Sequence, residues 1–452
     1  MAEQKPESGV DNPPESYTRG QLLAWLFLDS QTWVHRRVDA LTLGEDGTTK
    51  RAISFDLTVP GGGREIIGSE GRVVVPLALI EKGALRRVST KDPAGHPMPV
   101  LSTAQNVELA AEMLLALVPQ PWIAQGARGD LTSTLKGILR APAAGLGPES
   151  DQKREAARSN WSKWKENSLT IPPSHNATTY ASTLERLVLG FLDHFLLAVY
   201  LKAEFVDKRC VLKFSYDRDI SLSGAGNFVA AAQMVIPDVG FAESQHIEVI
   251  VPSGIRIETL EVIETADGQP IARAIDLPEG DRSIAHVAFA ATDRTAEGLV
   301  SVEMTPVAAG IHQFSRLALA IVIAAVSLGF AERYDLLDIV GSSFVIPSQS
   351  ASILLIGPAL FLSWMARSPE HDAVSQLLLP LRRILLYCTG VLLVLAIAAA
   401  VPLTREAWDV AWLLAGGGVF AAAASYICYF WNLPRRLENP VDLLSSDEGD
   451  QR

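Results

Sequence analysis

The strongest constraint in this sequence is a set of four apolar stretches that follow Gly310, at residues 311–331, 344–366, 384–403 and 408–431. Each approaches the roughly 20 residues that an α-helix needs to cross the hydrocarbon core of a bilayer. Inside that layer the backbone must satisfy its own hydrogen bonds, which a helix does within a single segment. The expected fold is therefore a multi-domain membrane protein, with a soluble α+β front part followed by a four-helix transmembrane bundle. Arg316 lies near one end of the first stretch, where a guanidinium can snorkel to the head groups.

Orientation is read from the flanking charges. Arg367, Arg382 and Arg383 border the loop between the second and third stretches, and Arg435 and Arg436 follow the fourth. Cationic flanks mark the cytoplasmic side. Both termini are thereby predicted to be cytoplasmic in an inner (plasma) membrane. Trp364, Tyr429 and Trp431 then fall at the inner interface and Trp408 and Trp412 at the outer one, where amphipathic rings favour the head-group layer. Abundant alanine and valine, and arginine in excess of lysine, read as the codon usage of a GC-rich bacterium.

Within the bundle, Gly416, Gly417 and Gly418 followed by Ala421 to Ala424 give the last helix a smooth face for helix packing or oligomerisation. Pro347, Ser348, Gln349, Ser350 and Ser352, with Gly357-Pro358, predict a kinked second span. Its hydroxyls and amide are expected to satisfy one another between helices rather than to line a pore. No Asp, Glu, Lys or His lies deep in any stretch, which weighs against an ion-coupled carrier.

The front part divides by hydrophobic period. After a polar tail (1–16), residues 17–103 read as a β-rich domain, since Ile53, Phe55, Leu57 and Val59 alternate with Ser54, Asp56 and Thr58. Residues 104–203 read as helical, opened by a capping box of Ser102 and Gln105. Within them, 184–201 is apolar nearly all round. Arg186, Asp193 and His194 count against a fifth span, leaving a buried or membrane-surface helix. Alternation returns over 204–309, where about seven short strands suggest a β-sandwich. Lys50-Arg51 and Lys208-Arg209 each open a strand, and Val75-Pro76 and Val251-Pro252 follow. The two β segments thus read either as one duplicated sandwich or as a chance likeness of turn residues. The membrane part is bounded at 310–432, and an acidic tail at 433–452 closes the chain.

Composition narrows function mainly by exclusion. A net charge of −12 disfavours a non-specific nucleic-acid binder, and no specific nucleic-acid partner is expected. Cys210, Cys388 and Cys428 are far apart and suit a reducing compartment better than a disulfide framework. No catalytic constellation, cofactor motif or metal-ligand spacing stands out. Gly61-Gly62-Gly63 lacks the residues of a phosphate loop, and the eight histidines show no paired spacing. Candidate contacts to a partner or to anionic lipid are Trp33, His35, Arg36 and Arg37, and Trp161 with Trp164 among Lys153, Arg154, Arg158, Lys163 and Lys165. A solvated basic face with packed tryptophans is the commoner outcome of such patterns. The expected partners are the lipid bilayer and a protein, a second copy included. The expected role is a non-enzymatic receptor or effector of stress or defence type, in which cytoplasmic β domains bind a partner or ligand and signal to the bundle. The alternatives are an anchored scaffold or assembly factor and, behind it, a membrane-bound enzyme assembled from distant groups such as His35, Asp56 or His246.

Overall fold

The computed structural model describes residues 17–44, 48–61, 67–68, 71–83, 85–219, 222–223, 230–236, 241–266, 269–278, 282–290, 297–307, 311–333, 356, 360, 372–401 and 404–436. Both terminal tails lie outside them. So does the second apolar stretch apart from residues 356 and 360, together with its polar Pro347 to Ser352 segment, Trp364 and Arg367.

The front part opens with α1 (Arg19–Leu28), where Thr18 and Gln21 form a capping box that satisfies the first orphan amides. Strands β1 (Val34–Leu43) and β2 (Thr48–Thr58) bury alternate residues, as their period-two sequence requires. After the short β3 (Ile67–Gly68), β4 (Arg72–Glu81) is buried on both faces, which explains its unbroken apolar run. Pro76 cannot donate to a ladder, and the pairing shifts register between Pro76 and Ala78. β5 (Arg86–Lys91) is an exposed strand.

Helices α2 (Thr103–Leu117), α3 (Arg128–Leu139), α4 (Pro148–Ser168) and α5 (His175–Gly190) follow, with the Ser102–Gln105 capping box in place at the start of α2. The expectation of one helix over 184–201 is corrected. α5 ends at Gly190, and β6 (His194–Lys202) pairs antiparallel with β4. Because β6 is also covered on both faces, its apolar run carries no period that separates it from a buried helix.

The remaining strands are β7 (Arg209–Asp219), β8 (Leu222–Ser223), β9 (Ala230–Ile236), β10 (Ser244–Ile250), β11 (Ile255–Ala266), β12 (Gln269–Asp276), β13 (Ile284–Phe289) and β14 (Glu297–Pro306). Among the described residues they form a six-stranded sheet ordered β13-β10-β1-β2-β7-β5, a five-stranded sheet ordered β12-β11-β14-β9-β8, and a three-stranded sheet ordered β3-β4-β6. β1 runs parallel to β10, and its other neighbour β2 is antiparallel. Strands from the two β segments therefore alternate within one sheet. Lys50 and Arg51 sit in β2, directly beside β7, which starts at Arg209. Val75-Pro76 lies inside β4 whereas Val251-Pro252 follows β10, so the two pairs do not occupy equivalent places.

Three long helices complete the described chain: α6 (Ile311–Arg333), α7 (Asp372–Ala400) and α8 (Arg405–Arg436). Each contains a stretch long and apolar enough to cross a membrane, at Ile311–Ala331, Leu378–Ala398 and Glu406–Ile427.

Among the described residues, buried side chains fall into two cores. The first joins Ile53, Phe55, Leu57, Leu212 and Phe214 of the six-stranded sheet to α1–α4 and the three-stranded sheet. The second joins Leu41, Leu43, Ile247 and Val249 of that same sheet to Leu260, Val262, Val300 and Val302 of the five-stranded sheet, and continues into α6, α7 and α8. The six-stranded sheet thus supports both.

Candidate functional site

Between the two cores, the inward face of the six-stranded sheet carries a charged network. Along β1 the side chains of Arg37, Asp39, Leu41 and Leu43 point inward, so an arginine and an aspartate precede two leucines on one face. Arg37 and Asp39 are wholly buried, as is Gln245, the β10 residue that pairs with Arg37. Arg51 comes from β2 and its register neighbour Tyr216 from β7. Three adjacent strands thereby supply donors to one carboxylate, and the fourth, β7, joins through Arg51.

Asp39 accepts from Arg37 Nε at 2.8 Å, from Arg51 Nε at 2.9 Å and Nη2 at 2.6 Å, and from Gln245 Nε2 at 2.7 Å. Arg51 Nη1 donates to the Tyr216 hydroxyl at 3.1 Å, and the Arg37 guanidinium lies 5.7 Å from the Phe55 ring centroid. Burial alone would raise the Asp39 carboxyl. The charges of Arg37 and Arg51 and their hydrogen bonds outweigh it and hold the group below its ordinary value. Burial likewise pulls Arg51 down, but Asp39 and then Tyr216 prevail and its pKa is raised. Gln245 Oε1 is buried without a hydrogen-bond partner among the described residues. A buried ion network of this kind adds little net stability over an apolar replacement. Its physical effect is to fix how four strands meet, because one carboxylate must receive donors from three of them.

The sequence-derived contact residues divide between the two faces. Trp33 is fully buried, donates from Nε1 to the Leu26 carbonyl at 2.8 Å and packs edge-on against Phe241, while Arg37 belongs to the network. His35 and Arg36 lie on the outward side, with His35 Nε2 2.9 Å from Thr58 Oγ1. Trp161 and Trp164 stack with ring centroids 5.6 Å apart and are buried in the first core. Of the basic residues around them, Arg154 reaches the Leu192 carbonyl and Asp193, and Lys165 binds Glu185. His194 donates from Nδ1 to the Gly190 carbonyl oxygen at 3.0 Å, so Asp193 and His194 face different partners.

His35, Asp56 and His246 lie on the outward side of the six-stranded sheet, each with its own partner. Asp56 receives a bidentate Arg209 at 2.9 and 2.7 Å, which with the nearby charges of His35 and Arg36 keeps its carboxyl low despite some burial. His246 contacts His286. Neither Asp56 nor a histidine lines the groove of about 480 Å³ that runs beside α1 past Arg19, Glu112 and Arg128. Lys82 is a separate case: its ammonium donates to the Ile138, Leu139 and Ala141 carbonyls at the end of α3, and burial, with Arg154 adding to it, lowers its pKa to about 8.

In the helices, Gly418 faces Val391 of α7, while a Cβ at Gly416 or Gly417 would meet nothing within 4 Å. Gly329 of α6 receives the Trp412 ring of α8. The sequence reading missed the Arg37–Asp39–Arg51 network. The signal available was a pair of opposite charges two residues apart in a strand, at positions in phase with Leu41 and Leu43.

No family model matches this chain, and no curated protein is significantly similar to it.

Proposed function

We propose that the protein is a bacterial inner-membrane receptor or effector, non-enzymatic, in which cytoplasmic β-sandwich-like domains bind a partner or ligand and pass that event to a four-helix transmembrane bundle. The observation that carries this reading is the second core, which runs without a break from the five-stranded sheet into α6, α7 and α8. Only residues 307–310 separate the end of β14 from the start of α6, so the sheet has little slack against the helix it precedes. A ligand-driven shift in strand packing is thereby communicated to the helices through packed side chains rather than through a loose tether.

Helix directions support a fourth span. Ser315 Oγ donates to the Leu381 carbonyl at 3.4 Å, which brings the starts of α6 and α7 together. Two helices that start on one side require the chain between them to cross back, and the apolar stretch 344–366 supplies that crossing. His312 near the start of α6 lies against Tyr426 late in α8, and Gly329 against Trp412, so α8 runs opposite to α6. Arg316, Arg382 and Arg383 then share the end that joins the front part, as a cytoplasmic end should. Exposed Leu277, Ile284 and Arg282 lie toward that same end, where Ile257 binds the Arg282 carbonyl and pairs with Met304, two residues before β14 ends.

The test is expression of the intact protein in bacteria with a potential-sensitive dye. The effector reading expects depolarisation that Gly418→Leu alters. An unchanged membrane potential in induced cells would remove it. The alternative of an anchored scaffold draws on the open outward face of the six-stranded sheet, where Val38, Ala40, Ala52, Ser54 and Ser215 form a half-buried strip of small side chains. It expects the purified intact protein to retain a protein partner whether or not Gly418 is changed.

A further inference from the structure

At the β13 edge of the six-stranded sheet, His246 of β10 and His286 of β13 project to the outward side. The register pairs Glu248 with His286 and His246 with Ala288, so the two imidazoles are diagonal neighbours on one face. His246 Nδ1 and His286 Nε2 are 3.1 Å apart, and the ring centroids lie 5.2 Å apart with an interplanar angle of 33°. Ser244 Oγ stands 3.2 Å from the other nitrogen of His246, Nε2. When His246 Nε2–H donates to that hydroxyl, Nδ1 keeps its lone pair on the side of His286. An outer hydrogen bond of this sort is how proteins set the tautomer of a ligating histidine.

We propose that His246 and His286 form a two-imidazole site for a divalent late first-row transition-metal ion, with Cu²⁺ the strongest binder. With metal–nitrogen bonds of about 2.1 Å, nitrogens 3.1 Å apart subtend roughly 95° at the ion. That angle fits neighbouring positions of a tetragonal or octahedral ion better than a tetrahedral one, and Cu²⁺ heads the affinity order for nitrogen ligands. His286 shifts its proton from Nε2 to Nδ1 to bind, a tautomer change that neither takes up nor releases a proton. Two carboxylates set the field against the Arg36 cation: Glu248, directly across from His286, and Asp276, whose Oδ2 accepts from the His286 amide at 2.9 Å. Among the described residues no third His, Cys, Asp or Glu converges on the pair, which leaves the other coordination positions to water or to an incoming ligand. A sequence separation of 40 hides the pair from any motif search.

The experiment is a Cu²⁺ titration of the full-length protein in detergent, with thiols blocked, read by electron paramagnetic resonance. One ion per chain is expected, showing hyperfine coupling to two nitrogens. His246→Gln and His286→Gln should each lose the two-nitrogen signal and weaken binding at least about tenfold. His96→Gln, at an exposed turn, should leave both unchanged. Metal-free melting temperatures of the variants matching the wild type confirm that the fold is kept. A wild-type chain without a stoichiometric site, or a two-nitrogen signal that survives in both variants, overturns the proposal.

Discussion

Replacing Asp39 with asparagine tests whether the buried network holds the two cores in register. The substitution is nearly isosteric, so it removes charge without opening a cavity. It leaves the guanidinium groups of Arg37 and Arg51 without the carboxylate they share, and an amide can offer only one oxygen where Asp39 now accepts at both. Breaking one side of a buried ion pair costs about 3–5 kcal/mol. At about 2–4 °C per kcal/mol for a domain of roughly 150–250 residues, the expected fall in melting temperature is about 6–20 °C. Calorimetry of the intact protein in detergent reads it, and tryptophan fluorescence follows the first core through Trp33, Trp161 and Trp164. The sign with pH is fixed as well. The folded pKa of Asp39 lies below its ordinary 3.8, so the stabilisation is complete above that value and is lost as pH falls through the folded pKa. The gap between wild type and Asp39→Asn should therefore be constant from about pH 5 to 8 and narrow only in stronger acid. Replacing Arg37, Asp39 and Arg51 together by apolar residues of similar volume should recover most of the loss. A single variant within about 1 kcal/mol of wild type would refute the account, because that is the scale of an exposed pair.

Two further outcomes follow from single contacts. Gly418→Leu should lower the melting temperature in detergent, since even a Cβ there comes 2.8 Å from Val391 Cγ2, whereas Gly417→Leu meets nothing within 4 Å and should not; equal effects would refute this placement of the two faces. Lys82 gives up its proton near pH 8 in the folded chain but near 10.5 when unfolded, so stability from this group should rise across that window, and Lys82→Met should flatten the rise in a pH series of denaturation midpoints.

Much of the local structure was legible in the sequence because its causes are local. The capping box at Ser102 and Gln105 needs only four consecutive residues, and the β2 alternation through Ile53, Phe55 and Leu57 reports one buried face. The β4 and β6 runs are buried on both faces, so they carry no such period, and the sequence reading made the second of them a helix. The candidate site was illegible for a different reason. Both phases of β1 mix polar and apolar residues, with Arg37, Asp39, Leu41 and Leu43 in one and Val38, Ala40 and Thr42 in the other. Nothing local decides which phase turns inward, and Val38 and Ala40 look the better core residues until the leucines farther along are weighed.

What the sequence alone determined is the set of segments too apolar for water, because the free energy of transferring about 20 side chains depends on their composition and not on what they touch. Three of these are long apolar helices in the structure. Only the tertiary structure decided that β1 lies parallel to β10, some two hundred residues away, and that one sheet serves two cores. Strand pairing is chosen by the burial of whole faces against distant partners, and the charges of Arg37, Asp39 and Arg51 acquire a meaning only once that choice has placed them around one carboxylate.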